Sequence, residues 1–491
     1  MKNIIKTFIM FALVSATALT GCKDITELNE DPNRPADVPN EYLLTSAQRT
    51  LGLRYYGVFD NISFGMTISQ YWAQNEYSDE VRYQYRPNTN NTFWLDFYTA
   101  INDLEEIKRK NDALLEEGAA GLDTDQLANQ NAIATIMKIW AMHNMVDIYG
   151  DVPLSEALQG QENPSPAYDS QEVIYETLIA DLEAAVAAIV PDGASFNGGD
   201  VVYNSNMVSW QKFGNSLLLR MGMRISEANE TLAQETISNA ADNVFESNMD
   251  NAAVQFITEQ PSVNPLYTSY IVDGRQDYCA TENFVNLLKG LGDPRLAEYF
   301  EPASATGEFV GMTYGLESAT AAGIPRSAVS QLNPKLLAPD FEGMMMDYAE
   351  VSFILSEAAA KGWVSGSAEQ YYQNGITASM EYWGISSNAD IVNYLADNPY
   401  SQTNFAVQKY IALYIQGWQS WAEIRRLDLE NISQANLVVY EPGDNFIEIS
   451  GIPKRRIYPN DEQTLNNENY TNAASSIGGD EYDTNLFWDI D

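Results

Sequence analysis

Five apolar stripes at helical spacing constrain this chain more than any other feature. Ile133, Ile136, Met137, Trp140, Met145 and Ile148 form one, and Ile174, Leu178, Leu182, Ala185 and Ile189 a second. Trp210, Phe213, Leu217, Leu218, Met221 and Ile225 form a third. Tyr348, Val351, Leu355, Ala358 and Ala359 make a fourth, with Met344-Met345-Met346 read as opening its helix, and Ile411, Tyr414, Ile415 and Trp418 a fifth. Each predicts an amphipathic helix with one buried face. Between them lie long segments rich in Gly, Asn, Pro and Tyr, chiefly 74–92, 191–206, 258–281, 301–340 and 440–491. Loops beyond about 12–15 residues are uncommon unless functional or disordered. Several here carry aromatic rings, which disorder does not favour. The expectation is an all-α scaffold bearing long aromatic-rich loops, with room for short β-hairpins in those loops. No clean internal repeat is visible.

Composition matters where it removes alternatives. At 491 residues, 45% hydrophobic and 11% aromatic, the chain can bury a large core as one domain or as two or three. Its formal charge of −41 opposes nucleic acid and anionic lipid head groups, and argues against polyanionic ligands. His143 is the only histidine. That removes most zinc sites, His-based triads and His general bases together. Its place beside Met142 and Met145 fits the core. Neither a glycine-rich phosphate loop nor a Gly-x-Ser-x-Gly element occurs. No metal site and no cofactor are expected. Cys279 has no base near it in sequence and reads as an inert thiol. Arg425-Arg426 reads as a structural partner for carboxylates.

The N-terminus makes a separate prediction. Lys2 and Lys6 precede the apolar run Phe8 to Val14, and Leu19-Thr20-Gly21-Cys22 follows. This is the pattern of a bacterial lipobox: residues 1–21 are a lipoprotein signal peptide, cut before Cys22, whose thiol takes the lipid. An ordinary secretory signal with an incidental Cys22 is the other reading. The apolar run is shorter than the ~20 residues a spanning helix requires. The polar, proline-bearing stretch 22–40 reads as a tether, and 41–491 as a single helical ligand-binding domain.

Two loop clusters carry the candidate ligand chemistry. Trp72, Tyr77, Tyr83 and Tyr85 sit with Arg82, Arg86, Asn88, Asn90 and Asn91. Tyr267, Tyr270 and Tyr278 sit with Asn264, Arg275 and Asp277. Sugar rings offer C–H faces to aromatic side chains, and their hydroxyls need planar polar partners. Peptides can use the same surfaces, and loop packing or contact with another protein accounts for such rings equally well. The clusters 72–91 and 264–278 are expected to share one face, with Tyr278, Trp72 and Tyr83 ranking first, then Arg82 and Asn91. The ligand set is therefore Trp72, Tyr77, Arg82, Tyr83, Asn91, Tyr267, Tyr270, Arg275, Asp277 and Tyr278, with no catalytic residue. Carboxylate pairs are abundant, so an all-α glycosidase with two carboxylates about 5–9.5 Å apart stays open. A purely structural interaction protein is a third reading.

Several blocks, in order, resemble one family. Tyr149-Gly150-Asp151-Val152-Pro153-Leu154 follows a long helix, then come Trp210-Gln211-Lys212-Phe213-Gly214-Asn215 and Asp293-Pro294-Arg295-Leu296. The strongest is Tyr348-Ala349-Glu350-Val351 through Glu357-Ala358-Ala359 to Gly362-Trp363. Gln408-Lys409-Tyr410, Glu423 with Arg425-Arg426, and Arg455-Arg456 with Tyr458-Pro459 complete the series. Over nearly the whole mature chain the sequence resembles SusD/RagB-type outer-membrane lipoproteins of Bacteroidota, in the starch-binding-related, SusD-like branch. That resemblance implies a scaffold of tetratricopeptide-like helix pairs. It implies a non-enzymatic nutrient-binding protein, lipid-anchored in the outer membrane at the cell surface. It also implies capture of an oligosaccharide or peptide and delivery, as a lid, to a SusC-like TonB-dependent transporter.

Overall fold

The computed structural model describes residues 38–118, 120–438 and 451–490. The signal peptide, Cys22 and nearly all of the expected tether lie outside them. The scaffold is helical, as expected. Its N-terminal half runs α1 (Asn40–Tyr55), α2 (Pro87–Glu117), α3 (Thr124–Tyr149), α4 (Gln171–Ala187), α5 (Met207–Arg224) and α6 (Glu230–Ala240). Each of these packs on the next, which is the helix-pair arrangement of a tetratricopeptide-like array. Then come α7 (Glu282–Leu291), α8 (Tyr348–Ala360), α9 (Ala368–Tyr382), α10 (Asn388–Asp397), α11 (Gln402–Ala412), α12 (Gly417–Arg426) and α13 (Asn467–Ser476), among shorter helical turns. The α8–α9 pair is another antiparallel unit.

The starts of these helices are chemically marked. Asp123, Ser170, Asn206, Asn229, Thr281, Asp347, Ser367, Ser387 and Ser401 each stand just before a helix and accept a first-turn N–H. Close crossings use glycine. A Cβ at Gly214 on α5 would come within 2.4 Å of Val186 on α4. The first three stripes are buried as predicted. The fifth is not one helix. The chain breaks between α11 and α12, with Ile415 at φ +75°, and Gly417, the first residue of α12, packs directly on the backbone of Gly65. Met344-Met345-Met346 is core, as read, but forms a strand rather than the start of α8.

Among the described residues, strand content is confined to two short antiparallel ribbons, and neither is a local hairpin. β1 (Trp72–Gln74) pairs with β3 (Tyr278–Ala280), and β2 (Ala252–Val254) pairs with β4 (Gly343–Met346). Each ribbon joins segments far apart in sequence. The ribbons therefore pin the long loops to the scaffold.

Beneath the loops runs a buried ionic network. Glu423 accepts from Arg224 (2.8 Å), Lys409 (2.8 Å) and Arg426 (2.7 Å). Arg224 also holds Asp147, and Arg426 holds Glu357. Arg425 departs from the expectation of a carboxylate partner: it stacks 3.8 Å over Trp421 and donates to the carbonyls of Trp421, Asp147 and Lys454. Among the described residues no helix is long and apolar enough to cross a membrane.

Candidate functional site

The β1–β3 ribbon brings the two aromatic loop clusters together. Trp72 faces Ala280, Ala73 faces Cys279, and Gln74 faces Tyr278. The ladder extends one step, with the Asn75 N–H donating to the Asp277 carbonyl at 2.9 Å. Segments 72–82 and 267–278 thus meet edge to edge.

Within that junction the side chains divide into two populations. Trp72, Tyr83 and Tyr278 are buried, at 0%, 0% and 3% exposure. Trp72 Nε1 donates to the Tyr414 hydroxyl at 3.0 Å, and the Tyr278 hydroxyl shares a 2.5 Å bond with Ser63. Burial pushes the Tyr278 phenol well above its ordinary pKa. The three rings ranked first from sequence are therefore packing groups. Trp72 and Tyr278 lie in ribbon strands whose three positions are all buried, and Tyr83 closes a short helical turn. Tyr270 is buried too. Its hydroxyl accepts from Arg326 at 2.8 Å, and the guanidinium lies 5.7 Å from its ring centre.

Tyr77 is the exception. Its ring is 57% exposed, and its backbone sits at φ +51°, a strained conformation for a bulky residue. The strain is held by the neighbouring Ser78, which is buried. Ser78 Oγ donates to the Leu316 carbonyl at 2.6 Å, and the Ser78 N–H donates to Ser318 Oγ. Arg82 braces the same turn through the Ser78 carbonyl and Asp79. Opposite, the Arg275 guanidinium lies 5.4 Å from the Tyr77 ring centre. Arg275 is aligned by two bonds to Asp277 Oδ2, at 3.1 and 3.2 Å, and by its own N–H on the Ser269 carbonyl. Ile271 and Val272, in the same loop, are 49% and 58% exposed. Tyr267 is half-buried in the short turn that opens this segment.

Tyr77 and Arg275 therefore form an exposed platform, with the buried Asp277 aligning Arg275 and Arg82 bracing the Tyr77 turn. Asn91 does not join it. It lies in the first turns of α2, where its Oδ1 accepts from the Asp461 N–H at 3.4 Å. The larger hollows lie elsewhere. One, about 610 Å³, is lined by Glu357, Lys361, Gln402, Phe405 and Arg426. Another, about 360 Å³, is lined by Phe341, Glu342 and Trp383. The platform combines an exposed ring face with a guanidinium fixed by a buried carboxylate, groups that suit a polyhydroxylated ligand.

The platform carries no nucleophile. Cys279 is buried behind it, and burial pushes its thiol up to about 12. His143 is fully buried, with Nδ1 2.7 Å from the Trp140 carbonyl, and desolvation holds it neutral. Among the described residues no cluster of three or more His, Cys, Asp or Glu could hold a metal ion.

A sequence profile described as "Starch-binding associating with outer membrane" matches residues 32–459. The chain belongs to the SusD-like family. Solved structures agree with this fold. A chitin-binding protein superposes with a TM-score of 0.80 at 26% identity, covering 92% of this chain and 100% of that one. A SusD homologue from Bacteroides uniformis gives 0.77 at 24% identity, over 92% and 100% of the two chains. A chitin-binding SusD homologue from Flavobacterium johnsoniae gives 0.75 at 22% identity, over 92% and 98%. The last two speak to the fold. No curated protein matches the sequence. The SusD-like scaffold thus carries the helix pairs, and the platform is built on its loops.

Sequence reasoning missed the support residues. Ser78, Ser269 and Ser318 act through backbone contacts that no motif announces. Val-rich exposure at 271–272 could have been read from apolar residues preceding Asp273-Gly274.

Proposed function

We propose that this chain is a non-enzymatic glycan-binding lipoprotein of the outer membrane, using the Tyr77–Arg275 platform to hold an oligosaccharide. The observation that carries the reading is Tyr77: a strained, exposed ring braced from behind by buried serines and flanked by an aligned guanidinium. A sugar ring stacking on Tyr77 buries C–H surface, and Arg275, held in place by Asp277, replaces water at its hydroxyls. Arg275 does not titrate near neutrality, so binding is expected to change little with pH there. Family membership supports glycan binding and association with the outer membrane. The chitin-binding relative suggests N-acetylated glucosamine oligomers as the first ligands to try. A peptide ligand is the remaining variant of the same reading.

The chain would be held by lipid at Cys22 and pass its ligand, as a lid, to a SusC-like TonB-dependent transporter. The absence of hydrolysis rests on the family.

The test is calorimetric titration of the lipid-free mature chain with chitin and starch oligomers. Tyr77→Ala should weaken the bound oligomer by ~1–3 kcal/mol, as loss of a stacking anchor does, with little change in melting temperature. Unaltered affinity in both Tyr77→Ala and Arg275→Ala would move the site elsewhere. Release of reducing ends that stops on changing one carboxylate would replace the reading by the glycosidase.

A further inference from the structure

The second cleft described above, about 360 Å³, lies where the β2–β4 ribbon meets the end of α9. One wall is aromatic. Phe341 and Trp383 lie 6.4 Å apart at 30°, and Tyr382 stands nearly perpendicular to Trp383. The opposite rim carries two carboxylates, Glu342 and Asp340. Most other buried or half-buried carboxylates in the scaffold are ion-paired, as with Glu350, Glu357 and Glu423. Glu342 is half-buried and has no cationic partner among the described residues. It accepts from the Tyr382 hydroxyl at 3.0 Å and from Gln255 Nε2 at 3.4 Å. One cation, Lys335, lines the cleft itself, with Nζ 5.9 Å from the Trp383 ring centre. It is paired with Glu298 and donates to the Trp383 carbonyl at 2.9 Å.

The cleft is also fixed in shape. Asn264 donates from its side chain to the Phe341 carbonyl and from its N–H to the Pro339 carbonyl, both at 2.7 Å. Tyr382 and Gln255 orient the Glu342 carboxylate from two sides. A preset carboxylate beside an aromatic wall, with negative charge in excess, favours a cation over a neutral hydroxyl. Lys335 already occupies the Trp383 ring, so the Phe341 ring is the one left to attract a ligand's ammonium group, whose N–H donors the carboxylates accept. The chain's overall charge of −41 adds a field of the same sense.

We propose that this cleft is a binding site for a ligand bearing an aliphatic ammonium, held by Glu342 and Asp340 against Phe341. It stands apart from the Tyr77 platform and does not depend on that site being correct. The same chemistry could come from an amino sugar or from a linear polyamine, so both are used as probes.

The mature chain is titrated with a glucosamine hexamer, its fully N-acetylated counterpart and spermidine, at low and high salt. The glucosamine hexamer should bind through this cleft. Its affinity should fall as salt rises, because half-exposed charges are screened. In the Glu342→Gln/Asp340→Asn variant that affinity should drop by at least about tenfold, since charge-assisted bonds become neutral ones. Glutamine keeps the shape and still accepts from Tyr382. Asp340 is exposed, so Asp340→Asn alone serves should the double variant lose its fold. Equal binding of spermidine supports recognition of the ammonium itself. Preference for the hexamer supports an added contact of the sugar with Phe341. Wild-type binding to neither amine, or undiminished glucosamine binding in a correctly folded carboxylate variant, overturns the proposal.

Discussion

Glu423→Gln should be among the most destabilising conservative substitutions in the chain, and the reason can be worked from the structure. One carboxylate, 7% exposed, holds three cations at 2.7–2.8 Å. Two of them have reserves. Arg224 keeps Asp147 at 3.1 Å and Gln419 at 2.8 Å, and Arg426 keeps Glu357 at 2.7 Å. Lys409, 1% exposed, hydrogen-bonds to Glu423 and to no other side chain among the described residues. Desolvation already lowers its pKa, and Glu423 is the largest influence opposing that. Removing the charge leaves an uncompensated ammonium that must neutralise or draw in water. Breaking a buried pair from one side costs about 3–5 kcal/mol. With an unfolding entropy of ~2.1 cal/mol/K per residue, a body of this size should lose about 3–5 °C in melting temperature. Urea unfolding at neutral pH, read by tryptophan fluorescence, gives the free energy. Adding Lys409→Met removes the stranded cation and should recover a substantial part of the loss. The sign with pH is also set. The cations hold the Glu423 carboxyl well below its ordinary pKa despite burial. Its contribution is therefore complete above about pH 4.5 and is lost as pH falls through the lower folded value. The wild type should lose more stability than the variant on acidification below about pH 4.5. A Glu423→Gln cost under about 1 kcal/mol, or a double variant no better than the single, would refute the reasoning.

Trp72→Ala should behave oppositely to Tyr77→Ala: removal of a fully buried indole should cost ~3–5 kcal/mol in urea unfolding, whatever its effect on ligand. Asp347 accepts the Glu350 N–H at the start of α8, and burial, with Glu350 adding to it, pushes its carboxyl up to about 7. A raised acid favours the folded state when protonated, so its contribution is fullest below about pH 4 and declines as pH rises to about 7. Asp347→Asn keeps the cap acceptor and should flatten this decline, which amounts to up to about 1.4 kcal/mol per pH unit; an unchanged stability–pH profile between those limits would count against it. Cys22→Ala should release the protein from membranes into the soluble fraction, since anchoring there depends on buried acyl chains.

The scaffold was legible because helices repeat their burial every 3.6 residues. Ile133 to Ile148 and Trp210 to Met221 announce their faces without reference to anything distant. The breaks were less legible. Ile411, Tyr414, Ile415 and Trp418 keep a helical rhythm across a turn, and the backbone on which Gly417 packs there, that of Gly65, lies some 350 residues earlier in the chain. The candidate platform was half legible, for a related reason. The expected meeting of clusters 72–91 and 264–278 holds where β1 pairs with β3, about 200 residues apart, and fails at Asn91. Which rings point outward was not legible, because both strands of that long-range ribbon are buried at every position, Trp72 and Tyr278 included.

The same ribbon explains why an exposed ring at Tyr77 is tolerable. Trp72 and Tyr278 fill the core below the ribbon, and Ser78 anchors the far side of the turn, so the strained residue between them has no freedom to relax. The aromatics that looked like ligand groups are the foundation on which one exposed tyrosine is fixed. Changing the foundation should cost stability and ligand together, whereas changing Tyr77 should cost ligand alone. That difference separates a recognition surface from a packed loop, and it can be measured on two single-residue variants.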